Sequence, residues 1–175
     1  MIDCLHRSLN MITETQLGLL SETLKKYPDV QFAYLFGSQA SGNVTPISDV
    51  DVAVYLDDHL ASTEQFKLQL HLVGVLCQAL QRNDVELAIL NGADIVLRYQ
   101  VLKNGKLIFC RDQTAKNEFF VRTMSEYLDA EPLRAFHREK MKKRIKEGKF
   151  GGRSQRYAKA ARQAARLFGA FAGNR

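Results

Sequence analysis

Two carboxylates placed two residues apart at the head of an apolar run constrain this chain more than any other feature. Between Phe32 and Leu56 the sequence reads as an apolar run, Gly37-Ser38, ten intervening residues, then Asp49-Val50-Asp51 opening a second apolar run. On an extended strand side chains alternate faces, so Asp49 and Asp51 project from the same side. Two like charges so placed repel, and burying them unpaired is costly. A divalent cation removes the conflict. Mg²⁺ prefers hard oxygen ligands and takes one or two carboxylates, leaving its remaining positions to water and substrate phosphates.

Gly37-Ser38 supplies what such a metal-phosphate site needs on the other side. After the strand Val30–Phe36 a glycine lets the backbone turn sharply and come close to a ligand. Ser38 then offers its N–H and hydroxyl to a phosphate, the more so if residues 38–41 open a helical turn. A lone Asp-x-Asp is otherwise a hairpin whose first Asp caps a turn. The strand, the Gly-Ser pair, the polar loop with Gly42, Asn43 and Pro46, and a second strand led by Asp49 and Asp51 together point to a nucleotide site.

At these residues the chain resembles the nucleotidyltransferase superfamily built on the polymerase-β-like palm, whose signature is Gly-Ser, a spacer and Asp-x-Asp. Its short spacer and small size are similar to the minimal nucleotidyltransferases, and among them to the MntA-type antitoxins encoded beside HEPN toxins. The resemblance spans residues 30–56, weakens towards about residue 110 and fades beyond. It implies an α/β fold: a mixed sheet with helices packed on one face, followed by a basic helical tail. A third carboxylate is expected on the strand Asp84–Leu90, where Asp84, Glu86 and Ala88 share a face. From the residues alone either acid can serve. In the resembling antitoxins the third acid stands a few residues before a Leu-Asn pair, here Leu90-Asn91, and that register selects Glu86, although the commoner residue there is Asp.

The activity implied is transfer of AMP from ATP to a tyrosine hydroxyl of a HEPN ribonuclease toxin. Two Mg²⁺ ions, roughly 3.5–4 Å apart in such sites, would be held by Asp49 and Asp51, with Glu86 binding the ion next to the incoming nucleophile. Gly37 and Ser38 would hold the β- and γ-phosphates. A small-molecule nucleotidyltransferase and a non-catalytic antitoxin acting by occlusion are the alternatives. No Gly-x4-Gly-Lys-Ser/Thr is present, so a P-loop is excluded. No histidine follows an Arg at the HEPN spacing, so the chain is not itself such a toxin.

Charge divides the 175 residues in two. Residues 1–131 carry 11 Lys/Arg against 17 Asp/Glu, whereas residues 132–175 carry 14 against 2. An acidic nucleotidyltransferase domain over 1–131 and a basic helical extension over 132–175 are therefore expected. The extension could meet nucleic acid, which is not the favoured reading, or an acidic protein face, and a solvated terminus is an equal alternative. Cys4, Cys77 and Cys110 are odd in number, far apart and set in apolar surroundings, which reads as buried free thiols. With no leader pattern and no apolar run near 18 residues, a cytoplasmic protein that meets no membrane is expected.

The remaining pattern is scaffold. Thr13-x-x-Gln16 predicts a capping box for a helix ending near Tyr27-Pro28. A long helix over about 62–81, capped by Ser62 or Thr63, has Phe66, Leu70, Val73, Cys77 and Leu80 as one stripe, broadened by Leu68, Leu72, Val75, Leu76 and Ala79, and His71 as a partly buried histidine. A helix over 94–102 closes at Asn104-Gly105, and Lys106–Cys110 is an edge strand. Helices follow to about Leu128, with Phe119, Phe120, Met124, Tyr127 and Leu128 packing, and from Pro132 to Glu147. Glycines 148, 151 and 152 form a hinge before a basic amphipathic segment, Ser154–Phe168.

Overall fold

The computed structural model describes residues 11–45 and 48–147. Cys4, Pro46, the expected glycine hinge and the segment 154–168 lie outside the described residues. The chain divides into two compact units, residues 1–129 and 130–175.

The first unit is built on a four-stranded mixed sheet, ordered β3-β2-β1-β4. Helix α1 (Glu14–Lys25) begins at Thr13, whose side chain accepts from the Gln16 N–H while Gln16 returns the bond to the Thr13 N–H. β1 (Val30–Phe36) leads into α2, a single turn over Gly37–Ser41. β2 (Val50–Leu56) runs antiparallel to β1, and β3 (Val85–Ile89) runs parallel to β2 after a crossover through α3 (Ser62–Leu80). A parallel pair needs such a long connection. Helix α4 (Ile95–Asn104), capped by the Asp94 carboxylate, then returns the chain to β4 (Lys106–Cys110), an edge strand antiparallel to β1, and α5 (Gln113–Asp129) closes the unit.

Alternation along the strands splits the core by face. Leu35 of β1 and Val52, Val54 and Leu56 of β2 bury against Leu20 and Leu24 of α1 and Leu72, Leu76 and Leu80 of α3. On the opposite face Phe32, Tyr34, Ala53 and Tyr55 pack with Leu90, Val101 of α4 and Phe119 of α5. Phe32 stacks on Tyr55 with ring centres 4.8 Å apart, and Phe119 sits 5.0 Å from Tyr55. Helices thus pack on both faces, not one. The reason is that β1 and β2 carry large apolar side chains at both parities, which leaves neither side fit for water.

Helix α3 narrows its expected apolar face: Leu80 of the stripe and Leu72 and Leu76 beside it are buried, whereas Phe66 and Leu70 are each 59% exposed. Its cap is also different: the helix starts after Ala61, and the Glu64 carboxylate accepts from the Ala61 N–H at 3.0 Å. His71 is exposed, its Nε2 3.0 Å from the Tyr27 hydroxyl. In α5 Phe119 is buried, but Phe120 and Leu128 face solvent.

The second unit is described from α6 (Glu131–Lys146), which starts with Pro132 in its first turn, where a missing N–H costs nothing. Glu131 there accepts from both Arg134 and Arg138.

Candidate active site

β1, β2 and β3 deliver one residue each to a row that crosses the sheet. Phe36 is paired with Asp51, and Asp51 with Glu86. Parity places this row on the face that carries Ala53 and Tyr55, beyond the point where Phe119 and Val101 cover it. The carboxylates therefore stand where the sheet is left open. Asp49 is exposed, Asp51 half-buried and Glu86 exposed.

Electrostatics ties the three acids together. Burial first, then the charges of Glu86 and Asp49, hold the Asp51 carboxyl above its usual range. Gly37 presses on the same group. It has φ +66°, and a Cβ there would overlap an Asp51 carboxylate oxygen and stand 2.9 Å from the carboxyl carbon. Only glycine fits, both by handedness and by space. Ser38 follows in α2, a turn closed by Gly42 at φ +74°.

Two residues that sequence reasoning missed hold this arrangement. Gln39 is buried in α2, and its side-chain oxygen accepts from the Ile12 N–H at 3.0 Å, which ties the turn to the entrance of α1. Arg82 grips Asp84 with two bonds, 2.8 and 2.6 Å, and reaches the Ser48 carbonyl at 3.4 Å. The Arg82-x-Asp84 spacing was the available signal, since residues two apart on an extended segment share a face. Its guanidinium holds the Asp84 carboxyl below the usual range. Asp84 is thus engaged in a clamp, while Glu86 lies in register with Asp51. Arg98 of α4 pairs with Glu126 of α5 at 2.6 Å.

The donor set suits a hard cation. Asp51 feels the charges of both Glu86 and Asp49, and a bound Mg²⁺ would relieve that repulsion. Among the described residues no three His, Cys, Asp or Glu side chains are grouped so as to hold a metal ion by themselves. A shell completed by substrate phosphates fits that geometry. Beside the row lies a cavity of about 410 Å³, lined by Phe36, Gly37 and Ser41 on one side and Leu97, Gln100 and Asn104 of α4 on the other.

A mixed sheet with Gly-Ser at the end of one strand and acids on the next two strands across it defines a nucleotidyltransferase, and the polymerase beta nucleotidyltransferase family matches residues 19–114. The chain belongs to this family. Within it the likeness is to the MntA type: it is 35% identical over 100 residues to protein adenylyltransferase MntA of Shewanella oneidensis, covering 57% of this chain and 68% of that one. Solved structures agree. A toxin–antitoxin crystal structure with AMP-PNP superposes with a TM-score of 0.59 at 31% identity, covering 71% of this chain and 98% of its own. A structure of tri-AMPylated Shewanella oneidensis HEPN toxin in complex with MNT antitoxin gives 0.56 at 28%, covering 73% and 98%. No helix among the described residues is long and apolar enough to cross a membrane.

Proposed function

We propose that this protein is an antitoxin that transfers AMP from ATP to a tyrosine hydroxyl of a cognate HEPN ribonuclease toxin and so silences it. The observation that carries the reading is the row of Asp51 and Glu86 with Gly37 pressed against it, in a chain 35% identical to a protein adenylyltransferase. The hydroxyl oxygen attacks the α-phosphorus, forming a phosphodiester. The bond from that phosphorus to the bridging oxygen breaks, and pyrophosphate leaves. Glu86, exposed on the edge strand β3, takes the hydroxyl proton. Asp49 and Asp51 would hold Mg²⁺, which when bound neutralises charge on the attacking and leaving oxygens. Ser38 and the backbone at Gly37 hold the β- and γ-phosphates, so positioning and electrostatics supply most of the rate.

The test is incubation with ATP labelled at the α-phosphate, Mg²⁺ and the product of the adjacent gene as the proposed toxin. Label on the toxin, lost when its acceptor tyrosine is changed to phenylalanine, is the expected result. Label that goes instead to an aminoglycoside, or silencing of the toxin without label, would replace this reading with one of the alternatives.

A further inference from the structure

The cavity beside the carboxylate row has a chemistry of its own. About 410 Å³ lies within the range of roughly 300–1,000 Å³ that small-molecule sites occupy. No charged side chain lines it. An anion has no cation to meet there, but a neutral heterocycle does find partners. Phe36, paired with Asp51 in the sheet and packed against the core, lines the cavity with an aromatic side chain on which a base can stack, and Leu97 is the other apolar wall.

The polar part of the lining is a pair of amides one helical turn apart. The Asn104 side-chain N–H donates to the Gln100 oxygen at 2.7 Å. That bond uses one donor of Asn104 and one lone pair of Gln100, and it orients both groups. Left for a ligand are the Gln100 amide nitrogen as donor and the Asn104 oxygen as acceptor. A donor beside an acceptor complements the N7 and N6 edge of adenine, whereas guanine offers two acceptors, N7 and O6, on the same edge.

We infer that the cavity between α2 and α4 is the nucleobase pocket of this transferase, with the Gln100–Asn104 pair selecting adenine and Phe36 stacking on it. This inference rests on the proposed nucleotidyl transfer, and it places base selection on α4 residues that take no part in holding the triphosphate. Both amides are exposed at the rim, so removing them leaves the core untouched.

The experiment measures Kd for ATP, GTP and inorganic triphosphate, each with Mg²⁺, on the full chain and on Gln100→Leu, Asn104→Leu and the double variant. The thermal midpoint serves as the fold control. The full chain is expected to favour ATP over GTP. The double variant is expected to lose about tenfold or more in ATP affinity, the scale of one lost bidentate base contact. Its affinity for inorganic triphosphate should stay within about twofold and its ATP-to-GTP preference should collapse towards unity. Unchanged ATP affinity in the double variant would overturn the assignment, as would a parallel loss of ATP and inorganic triphosphate. A full chain that binds neither ATP nor triphosphate would instead bring down the nucleotidyl-transfer reading beneath it.

Discussion

At the scale of single residues the site trades folding stability for charge. Asp51 is folded with its carboxyl pushed up by burial, Glu86 and Asp49. A raised carboxyl is disfavoured as the anion, so it weakens the fold at any pH above its folded value, neutral pH included. Asp51→Asn should therefore raise the thermal midpoint of the metal-free protein. It should also cut nucleotide transfer by about 10²–10³-fold or more, the scale of losing one preorganised electrostatic group. A lower midpoint together with retained turnover would contradict both halves. Asp84 carries the opposite sign. Its carboxyl is lowered by the Arg82 hydrogen bonds, so its contribution is present at neutral pH and disappears as pH falls through the depressed value, below 3.8. Urea midpoints followed from pH 6 down to pH 3 should fall less steeply in Asp84→Asn than in the unaltered chain.

Between elements, Arg111 is the latch. Following β4, it donates to the carbonyls of Lys25 at 2.7 Å, Tyr27 at 3.3 Å and Val30 at 3.2 Å, binding the edge strand to the exit of α1. Arg111→Ala should cost about 1–2 kcal/mol, because hydrogen bonds from a charged group are worth roughly 1.5–3 kcal/mol and water replaces part of the loss. Equilibrium denaturation measures it. No local pattern revealed this residue, since its partners lie 81–86 positions away. The same distance separates what was legible from what was not. Asp49 and Asp51 stood out because strand parity puts residues two apart on one face, Glu86 only through the Leu90-Asn91 register of the resembling antitoxins, and Thr13 because its cap closes within four residues. Phe66 and Leu70 were misassigned because apolar residues nearly ring α3. Which stripe turns inward is decided by β2 and β3, and there Gln69, a polar residue, occupies an inner position and donates to the Leu87 carbonyl at 2.7 Å. Gly105 likewise ends α4 without a left-handed turn, at φ −78°. It is glycine because a Cβ would overlap the Val101 carbonyl and stand 3.2 Å from that of Leu35.

Over the whole molecule, charge is distributed by unit. Residues 148–175 hold seven Lys/Arg and no Asp or Glu. Deleting them should slow association with the proposed toxin partner about tenfold at low salt and little at high salt, because exposed charges act through a screened field. Stopped-flow mixing at two ionic strengths reads this. Unchanged rates with a lost affinity for RNA or DNA would make the segment a nucleic-acid arm.

The two compact units also carry opposite signs, since residues 1–129 bear 16 Asp/Glu to 11 Lys/Arg and residues 130–175 bear 14 Lys/Arg to 3 Asp/Glu. A single isoelectric value near 9.3 describes neither. In concentrated solution each copy can act as an ion exchanger for the next, acidic unit against basic, even though every molecule has the same net charge. Solubility should accordingly be lowest in dilute buffer and climb as salt is added, a salting-in curve that a uniformly positive protein of the same net charge would not show.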